Sequence, residues 1–277
     1  MHILFIGYGK TSQRVAQYLF EQDSSKQRYK ITTISRSTKT DVYGNHLIQD
    51  VHHLDLNQLT AVDLVYVALS PSQSSVEAYR HTYLDSVEPI VRALKSHPIQ
   101  RIVVVSSTRV YGEHRGERVD DASPVQPIDE QGQILHDMEL KWQTAYPEQT
   151  VIIRPAGIYG QSITRMVKMA QTTRSYANIH YTNRIHINDL ARFLAVLATL
   201  QYVDSSYIVT NNQPLPLHEI IQWFQQQLHL PLVQLSSRHI SGKRLYPTRM
   251  LQTGFTLKHP VCFNDYTICL QQHSQNS

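Results

Sequence analysis

The 277-residue sequence has little cysteine, no long apolar run and no concentrated block of positive charge. Its two cysteines, Cys262 and Cys269, are too few for a disulfide framework, so a reducing, cytoplasmic location is expected. The apolar run at residues 3–6 (ILFI) is far shorter than the roughly 20 residues that cross a bilayer, so no membrane partner is expected. Because no Lys/Arg stripe with interleaved aromatics occurs, a nucleic-acid partner is not expected either. With 41% hydrophobic and 17% charged residues, the chain should fold as a globular protein.

Several patterns that mark metal sites and hydrolases are also missing. The sequence has 15 histidines, but HExxH and paired-cysteine spacings do not occur. His52 and His53 are adjacent, and no cysteine accompanies His180 or His186. We therefore predict no metal site. The absence of GxSxG disfavours a Ser-His-Asp hydrolase.

Short apolar or β-branched segments alternate with amphipathic segments over the first 160 residues. Strands are predicted at residues 1–6, 30–35, 62–69, 101–106 and 151–154. Helices are predicted at residues 11–20, at residues 76–96 with a break or kink at Pro89, and at residues 133–146. Alternating strands and helices indicate an α/β fold with a parallel, doubly wound sheet.

The regular alternation fades after Gly160. Helices are predicted at residues 188–200 and 217–228, and one more strand at residues 207–210 could return to the sheet. We therefore predict a first domain at residues 1–160 plus about 188–211. A smaller, discontinuous C-terminal substrate lobe is predicted at residues 161–187 and 212–277.

A glycine turn, Gly7-Tyr8-Gly9, lies between the first predicted strand and the first helix, with Ser12 three residues later. In a Rossmann-type turn the first glycine permits the tight bend and the second lets the backbone approach a pyrophosphate. The helix N-terminus then supplies unpaired N–H groups. Ser12 stands where a third glycine is usual and is small enough for close packing. Two alternatives remain: glycines needed for turn geometry alone, or a phosphate loop ending at Lys10 and Thr11, which would have Leu4 in place of its first glycine.

The second predicted strand ends at Ser35, and Arg36 follows where a carboxylate would favour NAD. A guanidinium can pair with a 2′-phosphate through two hydrogen bonds, so Arg36 favours NADP, with Lys39 as support. The alternative is a solvated loop arginine.

Four further motifs follow in order: residues 106–112 (SSTRVYG), 120–124 (DDASP), 154–160 (RPAGIYG) and 184–191 (RIHINDLA). Together with the glycine turn they resemble the extended short-chain dehydrogenase/reductases, the NAD(P)-dependent epimerase/dehydratase group. The resemblance implies a Rossmann fold, an NAD(P) cofactor, a small polar or nucleotide-sugar substrate, and a homodimer formed through a helix pair.

The resemblance also implies roles for individual residues. Ser107 matches the catalytic Ser/Thr of the family, while Tyr159 and Arg184 would contact substrate. The residues implied to bind the cofactor are Gly7, Tyr8, Gly9, Ser12, Arg36, Asp50, Val51, Ala68, Leu69, Ser106 and Pro155.

The chain departs from the family pattern at its acid/base pair, in which a tyrosine precedes a lysine by four residues. None of the nine lysines has a tyrosine at that position. With Glu139 aligned to the acidic residue that follows the pair, Gln131 and Leu135 occupy the two places, and neither can exchange a proton near neutral pH. The chain therefore resembles an atypical branch that lacks the pair. Tyr111, Tyr159 and His136 are the candidate substitutes.

Several of these residues can also be interpreted as structural and not catalytic. Tyr111 and Tyr159 usually line the pocket as structural residues, and His136 is expected to face solvent. His186 and Asp189 are expected to tie a strand to a helix start by capping. Glu113 and Asp121 are expected to be loop carboxylates.

Two functions remain open at this point. One is an NADP-preferring reductase or epimerase that uses Ser107 and another proton donor. The other is a non-catalytic NADP-binding sensor or regulatory protein.

Overall fold

The computed structural model describes residues 1–22, 28–40, 43–112 and 115–275. The strands, in chain order, are β1 (His2–Ile6), β2 (Lys30–Ser35), β3 (Asn45–Ile48), β4 (Leu64–Val67), β5 (Arg101–Val105), β6 (Arg115–Val119), β7 (Thr150–Pro155), β8 (Gly157–Tyr159), β9 (Ser175–Tyr176), β10 (Ile179–Thr182), β11 (Arg184–His186), β12 (Ser206–Val209), β13 (Leu215–Pro216), β14 (Gln234–Leu235) and β15 (Ile240–Leu245). The α-helices are α1 (Lys10–Gln22), α2 (Val76–Tyr79), α3 (Val87–Leu94), α4 (Glu130–Ala145), α5 (Thr164–Thr172), α6 (Ile187–Val196), α7 (Leu217–Gln227), α8 (Thr248–Gln252) and α9 (Cys262–Gln275).

The central sheet has seven strands in the order β12-β7-β5-β4-β1-β2-β3. Strand β1 pairs in parallel with both β2 and β4, and the pairs β2–β3, β4–β5 and β5–β7 are also parallel. Every residue of β1 and β4 is buried, as expected for strands covered on both faces. The predicted α/β, doubly wound parallel sheet is confirmed. Its strand order reverses at β1 and β4, where ligands bind in sheets of this type.

The helical segment predicted at residues 76–96 is interrupted earlier than expected. Helix α2 passes into a π-helical turn at Arg80–Leu84, and α3 begins at Val87. Pro89 lies in the first turn of α3, where its missing N–H costs no intrahelical hydrogen bond, so it causes no kink there. The sequence analysis identified a break but placed it at the wrong residue.

The chain divides into two compact units. Unit 1 comprises Met1–Gly112, Pro124–Arg154 and Leu190–Tyr207, and unit 2 comprises Glu113–Ser123, Pro155–Asp189 and Ile208–Ser277. Unit 2 contains a four-stranded mixed sheet in the order β13-β10-β15-β6, which the sequence analysis did not predict. A cluster of buried apolar side chains from α5, α7 and α9, including Val167, Phe224 and Tyr266, forms its core.

Across the described ranges, no helix combines enough length with enough apolar character to cross a membrane.

Candidate functional site

The glycine turn joins β1 to α1 at the point where the strand order reverses. Gly7 adopts φ +87°, and a Cβ added there would collide with the carbonyl oxygen of Ala68. Its N–H donates to the carbonyl of Ile34 at 3.0 Å. The protein's own packing therefore requires glycine at residue 7.

Gly9 and Ser12 differ from Gly7 in what holds them. A Cβ added at Gly9 would meet no atom within 4 Å, so the fold itself does not require glycine there. Ser12 is buried, and its hydroxyl donates to the carbonyl of Gly7 at 2.7 Å, which fixes the turn to the first turn of α1. Serine therefore forms a hydrogen bond here that the usual glycine could not form. The first N–H groups of α1 lack intrahelical acceptors, as at any helix start.

A cavity of about 260 Å³ opens beside the glycine turn in unit 1. Its wall includes the glycine turn, the loop after β2, the 3₁₀ turn Val51–His53, the end of β4 and the π-helical turn. The lining residues are Gly7, Tyr8, Gly9, Ile34, Ser35, Arg36, Ser37, Lys39, Gln49, Asp50, Val51, His52, Ala68, Leu69, Ser70, His81 and Thr82.

The structure brings most of the predicted cofactor residues to this one wall. Tyr8, Arg36, Asp50, Val51 and Leu69 line it together with Gly7, Gly9 and Ala68. Ser12, Ser106 and Pro155 lie outside the lining. The role of the whole set stays a prediction.

Arg36 and Lys39 give the cavity two permanent positive charges. Arg36 is exposed and Lys39 is half-buried. In the part of the chain that the structure describes, the Arg36 side chain has no hydrogen-bond or ion-pair partner. A guanidinium without an internal partner is available to an anionic ligand.

Ser106 belongs to a buried polar cluster instead of the cavity wall. Its hydroxyl donates to Glu139 Oε1 at 2.5 Å, and Glu139 Oε2 lies 2.7 Å from Arg154 Nη2. Arg154 also donates to the Tyr111 hydroxyl at 2.8 Å. Burial alone would lower the pKa of Arg154, but the hydrogen bonds and charge of Glu139 raise it above its usual value. Tyr111 is 1% exposed and makes this contact, which accounts for it as a structural residue.

Ser107 lies just after β5, whereas Gln131 and Leu135, the two positions aligned with the missing acid/base pair, lie in the first two turns of α4. The Ser107 hydroxyl accepts from the N–H of Arg109 at 3.2 Å and caps the 3₁₀ turn Thr108–Val110. Gln131 accepts from the Arg109 guanidinium and donates to the carbonyl of Ser74 at 2.6 Å. Leu135 is buried in unit 1. Gln131 thus forms hydrogen bonds within the fold, and Leu135 is a core residue. His136, beside Leu135, was expected to face solvent but is half-buried.

In unit 2, Tyr159 holds its proton tightly. Its hydroxyl donates to Asp265 Oδ2 at 2.6 Å. Burial, followed by the hydrogen bond and charge of Asp265, raises the pKa of Tyr159 above its usual value. The Arg184 side chain also has a partner inside the protein, since it donates to the Thr182 hydroxyl at 2.7 Å.

His186, His259 and Asp265 form a group in which one possible metal-ligand atom from each lies within 4.8 Å of the others. The two imidazoles stack face to face, with ring centroids 3.7 Å apart and 19° between the planes. Ring-nitrogen lone pairs lie in the ring plane, so nearly parallel rings cannot point both at one ion. His186 Nδ1 accepts from the N–H of Asn188 at 3.2 Å, and His259 Nδ1 lies 2.7 Å from Asp265 Oδ1. The geometry favours a hydrogen-bonded cluster over a metal site.

Two buried aspartates hold loops of unit 2. Asp189 accepts from the N–H groups of Lys258 and His259 at 2.7 to 3.1 Å, contacts distant in sequence that go beyond the capping role expected for it. Asp121 accepts from the N–H of Ile208 at 2.6 Å and from the Thr248 hydroxyl at 2.8 Å. Asp121 lies in a loop, as expected, but it is buried and hydrogen-bonded to distant segments. Glu113 lies outside the described residues.

His52 and His81 line the cavity, but the sequence analysis did not predict them as site residues. His52 directly follows the predicted Asp50-Val51 pair, which was a usable signal. His81 lies 29 residues further on, in a turn that only the tertiary structure brings close.

Comparisons with known proteins agree with this geometry. A model of the NAD dependent epimerase/dehydratase family matches residues 9–206. Protein YeeZ of Escherichia coli (strain K12) is 29% identical over 144 residues, which is 52% of this chain and 51% of that protein, so the match spans about half of each.

Among solved structures, an NAD-dependent epimerase/dehydratase from Methylobacillus flagellatus is 28% identical with a TM-score of 0.81, covering 99% of this chain and 98% of that one. A UDP-glucuronic acid 4-epimerase from Bacillus cereus in complex with NAD has a TM-score of 0.75 at 15% identity, covering 94% and 93%, and shows the fold alone.

Proposed function

Because the chain belongs to the NAD dependent epimerase/dehydratase family, we propose that its cavity beside the glycine turn binds the adenosine half of NADP in preference to NAD. The observation that carries the proposal is that Gly9 and Arg36 line the same cavity. Pockets that bury a whole ligand usually measure about 300–1,000 Å³. A cavity of about 260 Å³ therefore suits part of a dinucleotide.

The pyrophosphate would rest against the start of α1. Gly7 is fixed by the Ala68 carbonyl, whereas Gly9 leaves open space where a side chain would stand. A glycine that the fold does not need is explained by a pyrophosphate that lies against the protein backbone in that space. Unpaired N–H groups and the positive end of the helix dipole favour the anion there.

Arg36 is the basis for NADP. Its guanidinium lines the cavity without a partner among the described residues, and Lys39 lines the same wall. A carboxylate near this place would pair with a ribose hydroxyl, whereas a guanidinium suits the 2′-phosphate.

We further propose that the protein is an oxidoreductase or epimerase that acts on a small polar or nucleotide-sugar-like substrate. The nicotinamide would supply hydride transfer when bound. Ser107 would hydrogen-bond the reacting oxygen of the substrate, while Tyr159 and Arg184 of unit 2 would belong to the substrate lobe. The Bacillus cereus relative in fold is named as a UDP-glucuronic acid 4-epimerase, which supports this substrate class.

A second candidate is a non-catalytic NADP-binding sensor or regulatory protein. It is favoured by Gln131 and Leu135, which stand where a proton-exchanging pair is usual and which the fold uses for hydrogen bonding and packing. Tyr111 and Tyr159, the candidate replacements, both make hydrogen bonds inside the protein. We also propose that the chain belongs to an atypical branch of the family, in which the acid/base pair is missing.

Calorimetric titration with NADPH and NADH tests the cofactor proposal. We expect NADPH to bind more tightly, and Arg36→Asp to reverse the order, because removing a charged contact typically costs about 1.5–3 kcal/mol. Absence of binding by either nucleotide would contradict the proposal.

A panel of carbonyl and nucleotide-sugar substrates then separates the two functions. Turnover of NADPH that Ser107→Ala abolishes supports the enzyme. Tight NADPH binding without turnover, unchanged in Ser107→Ala, supports the sensor.

A cytoplasmic location and a homodimer are proposed with the same function. Both cysteines are free thiols, with Cys262 buried. Size-exclusion chromatography with light scattering tests the dimer, and cell fractionation tests the location.

A further inference from the structure

The cofactor cavity contains a pair of stacked histidines, His52 and His81. Their ring centroids are 4.1 Å apart and the ring planes differ by 18°. Both residues line the cavity together with Arg36 and Lys39. The wall therefore carries two permanent cations and two imidazoles that can become cations.

Among the residues that the structure describes, the ring nitrogens of His52 and His81 make no hydrogen bond or ion pair. By contrast, His2 bonds Thr32 at 2.8 Å and His46 bonds Thr33 at 2.8 Å, so those rings serve the sheet. The nitrogens of His52 and His81 remain available to a ligand in the cavity.

The backbone around the pair holds the rings in place. His52 lies in the 3₁₀ turn Val51–His53, where the Asp50 carboxylate accepts its N–H at 2.9 Å. His81 lies in the π-helical turn Arg80–Leu84. Insertions of this type occur frequently at functional sites because they re-aim side chains.

We propose that His52 and His81 form a proton-linked phosphate subsite that strengthens binding of the 2′-phosphate of NADP as the pH falls. This inference rests on the proposed NADP binding. Protonation of both imidazoles would place two like charges at a ring separation of 4.1 Å, which is unfavourable. A phosphate dianion in the cavity would offset that repulsion and favour protonation.

The charges near His52 define what else acts on it. Burial lowers its pKa below the usual value, and the neighbouring His81 lowers it further. Charged or titratable groups on the cavity wall and on neighbouring turns and helices are Tyr8, Lys10, Arg36, Lys39, Asp50, His53, Asp55, Glu77, Tyr79, Arg80, His81, Tyr83, Asp85, Glu88, Arg92 and Lys95. Histidine is the side-chain type whose ordinary pKa lies nearest the range from pH 6.5 to 8.5, whereas carboxylic acids as a class titrate well below that range and lysine and arginine well above it. The two imidazoles are therefore the side chains of this wall that suit proton-linked binding in that range.

Linkage gives the sign and size of the effect. If one proton is taken up with NADPH, its Kd rises by up to about tenfold per pH unit as the pH increases through the window. NADH has the same pyrophosphate and adenine but no 2′-phosphate, so its Kd should change much less. The affinity ratio of NADPH to NADH is therefore the quantity that reports this subsite.

The test is calorimetric titration of the full chain with NADPH and NADH from pH 6.5 to 8.5, repeated in two buffers with different ionisation enthalpies. We expect net proton uptake with NADPH, and a preference for NADPH that weakens as the pH rises. His52→Gln and His81→Gln should remove most of this pH dependence. His53→Gln is the matched control, since His53 lies on the same 3₁₀ turn but outside the lining of this cavity.

The outcomes separate this inference from the proposed function. Tight NADPH binding with a pH-independent preference would overturn the subsite and keep the cofactor proposal. An equal pH dependence for NADH would place the histidines against the shared part of the nucleotide and also overturn it. If neither nucleotide binds, both proposals fail. Circular dichroism of the variants establishes that each still folds.

Discussion

The buried ion pair of Glu139 and Arg154 offers the sharpest test of how unit 1 is held together. The two side chains are 1% and 9% exposed, and the pair is joined by a hydrogen bond of 2.7 Å. Glu139→Ala would remove both bonds to the guanidinium and the acceptor of the Ser106 hydroxyl. It would leave a buried, uncompensated positive charge.

Removing one partner of a buried pair typically destabilises a protein by about 3–5 kcal/mol. For a chain of this size that corresponds to a lower Tm by about 6 °C or more. Urea denaturation followed by circular dichroism measures the change in unfolding free energy. Replacing both partners, as in Glu139→Leu with Arg154→Met, should recover much of the loss because no unpaired charge remains.

The chain contains a matched control for this experiment. Glu88 and Arg92 form an ion pair of 3.0 Å on α3, but their side chains are 76% and 75% exposed. Glu88→Ala should therefore cost only about 0.3–0.5 kcal/mol. Equal losses in Glu88→Ala and Glu139→Ala would refute the reasoning that burial decides the effect.

Three further predictions follow from single contacts. Gly9→Ala should leave the midpoint of urea denaturation nearly unchanged but weaken NADPH binding in calorimetry. Gly7→Ala should lower the midpoint, because the new Cβ would collide with the carbonyl oxygen of Ala68. Equal midpoints for the two variants would contradict this difference. Tyr159→Phe should destabilise unit 2 by about 1–3 kcal/mol, since the charged acceptor Asp265 loses its donor, and an unchanged Tm would count against that hydrogen bond. Burial lowers the pKa of His97 in the folded protein. The unfolded state therefore takes up a proton first as the pH falls below about 6.5, and the free energy of unfolding should decrease from pH 7.5 to 5.5. His97→Leu should reduce that slope in urea titrations, and an identical slope would exclude His97 as its cause.

The local patterns of the sequence were enough to predict the central sheet. Six of its seven strands, including β12 at residues 207–210, were predicted close to their observed positions because uninterrupted apolar segments such as residues 2–6 are buried on both faces. Strand β3 was missed, since its residues (NHLI) are partly exposed at the edge of the sheet and carry no clear pattern. The strands β10, β13 and β15 of unit 2 were missed for a related reason: most of their residues are only partly buried, so they carry no uninterrupted apolar segment.

The candidate site divides in the same way. Gly7, Gly9 and Ser12 could be found from spacing alone, because a turn between a strand and a helix is a local structure. The partners of Glu139, Arg154 and Asp121 could not, since their hydrogen bonds join residues 15 to 128 positions apart.

The sequence by itself determined the parallel sheet, the glycine turn and the arginine after β2, because each depends on neighbours within a few residues. Only the tertiary structure decided which side chains share the cavity wall with that arginine, and which tyrosines and carboxylates are taken up by buried hydrogen bonds. Those outcomes depend on how distant segments pack, and in the case of His52 and His81 on two turns whose rings lie 4.1 Å apart.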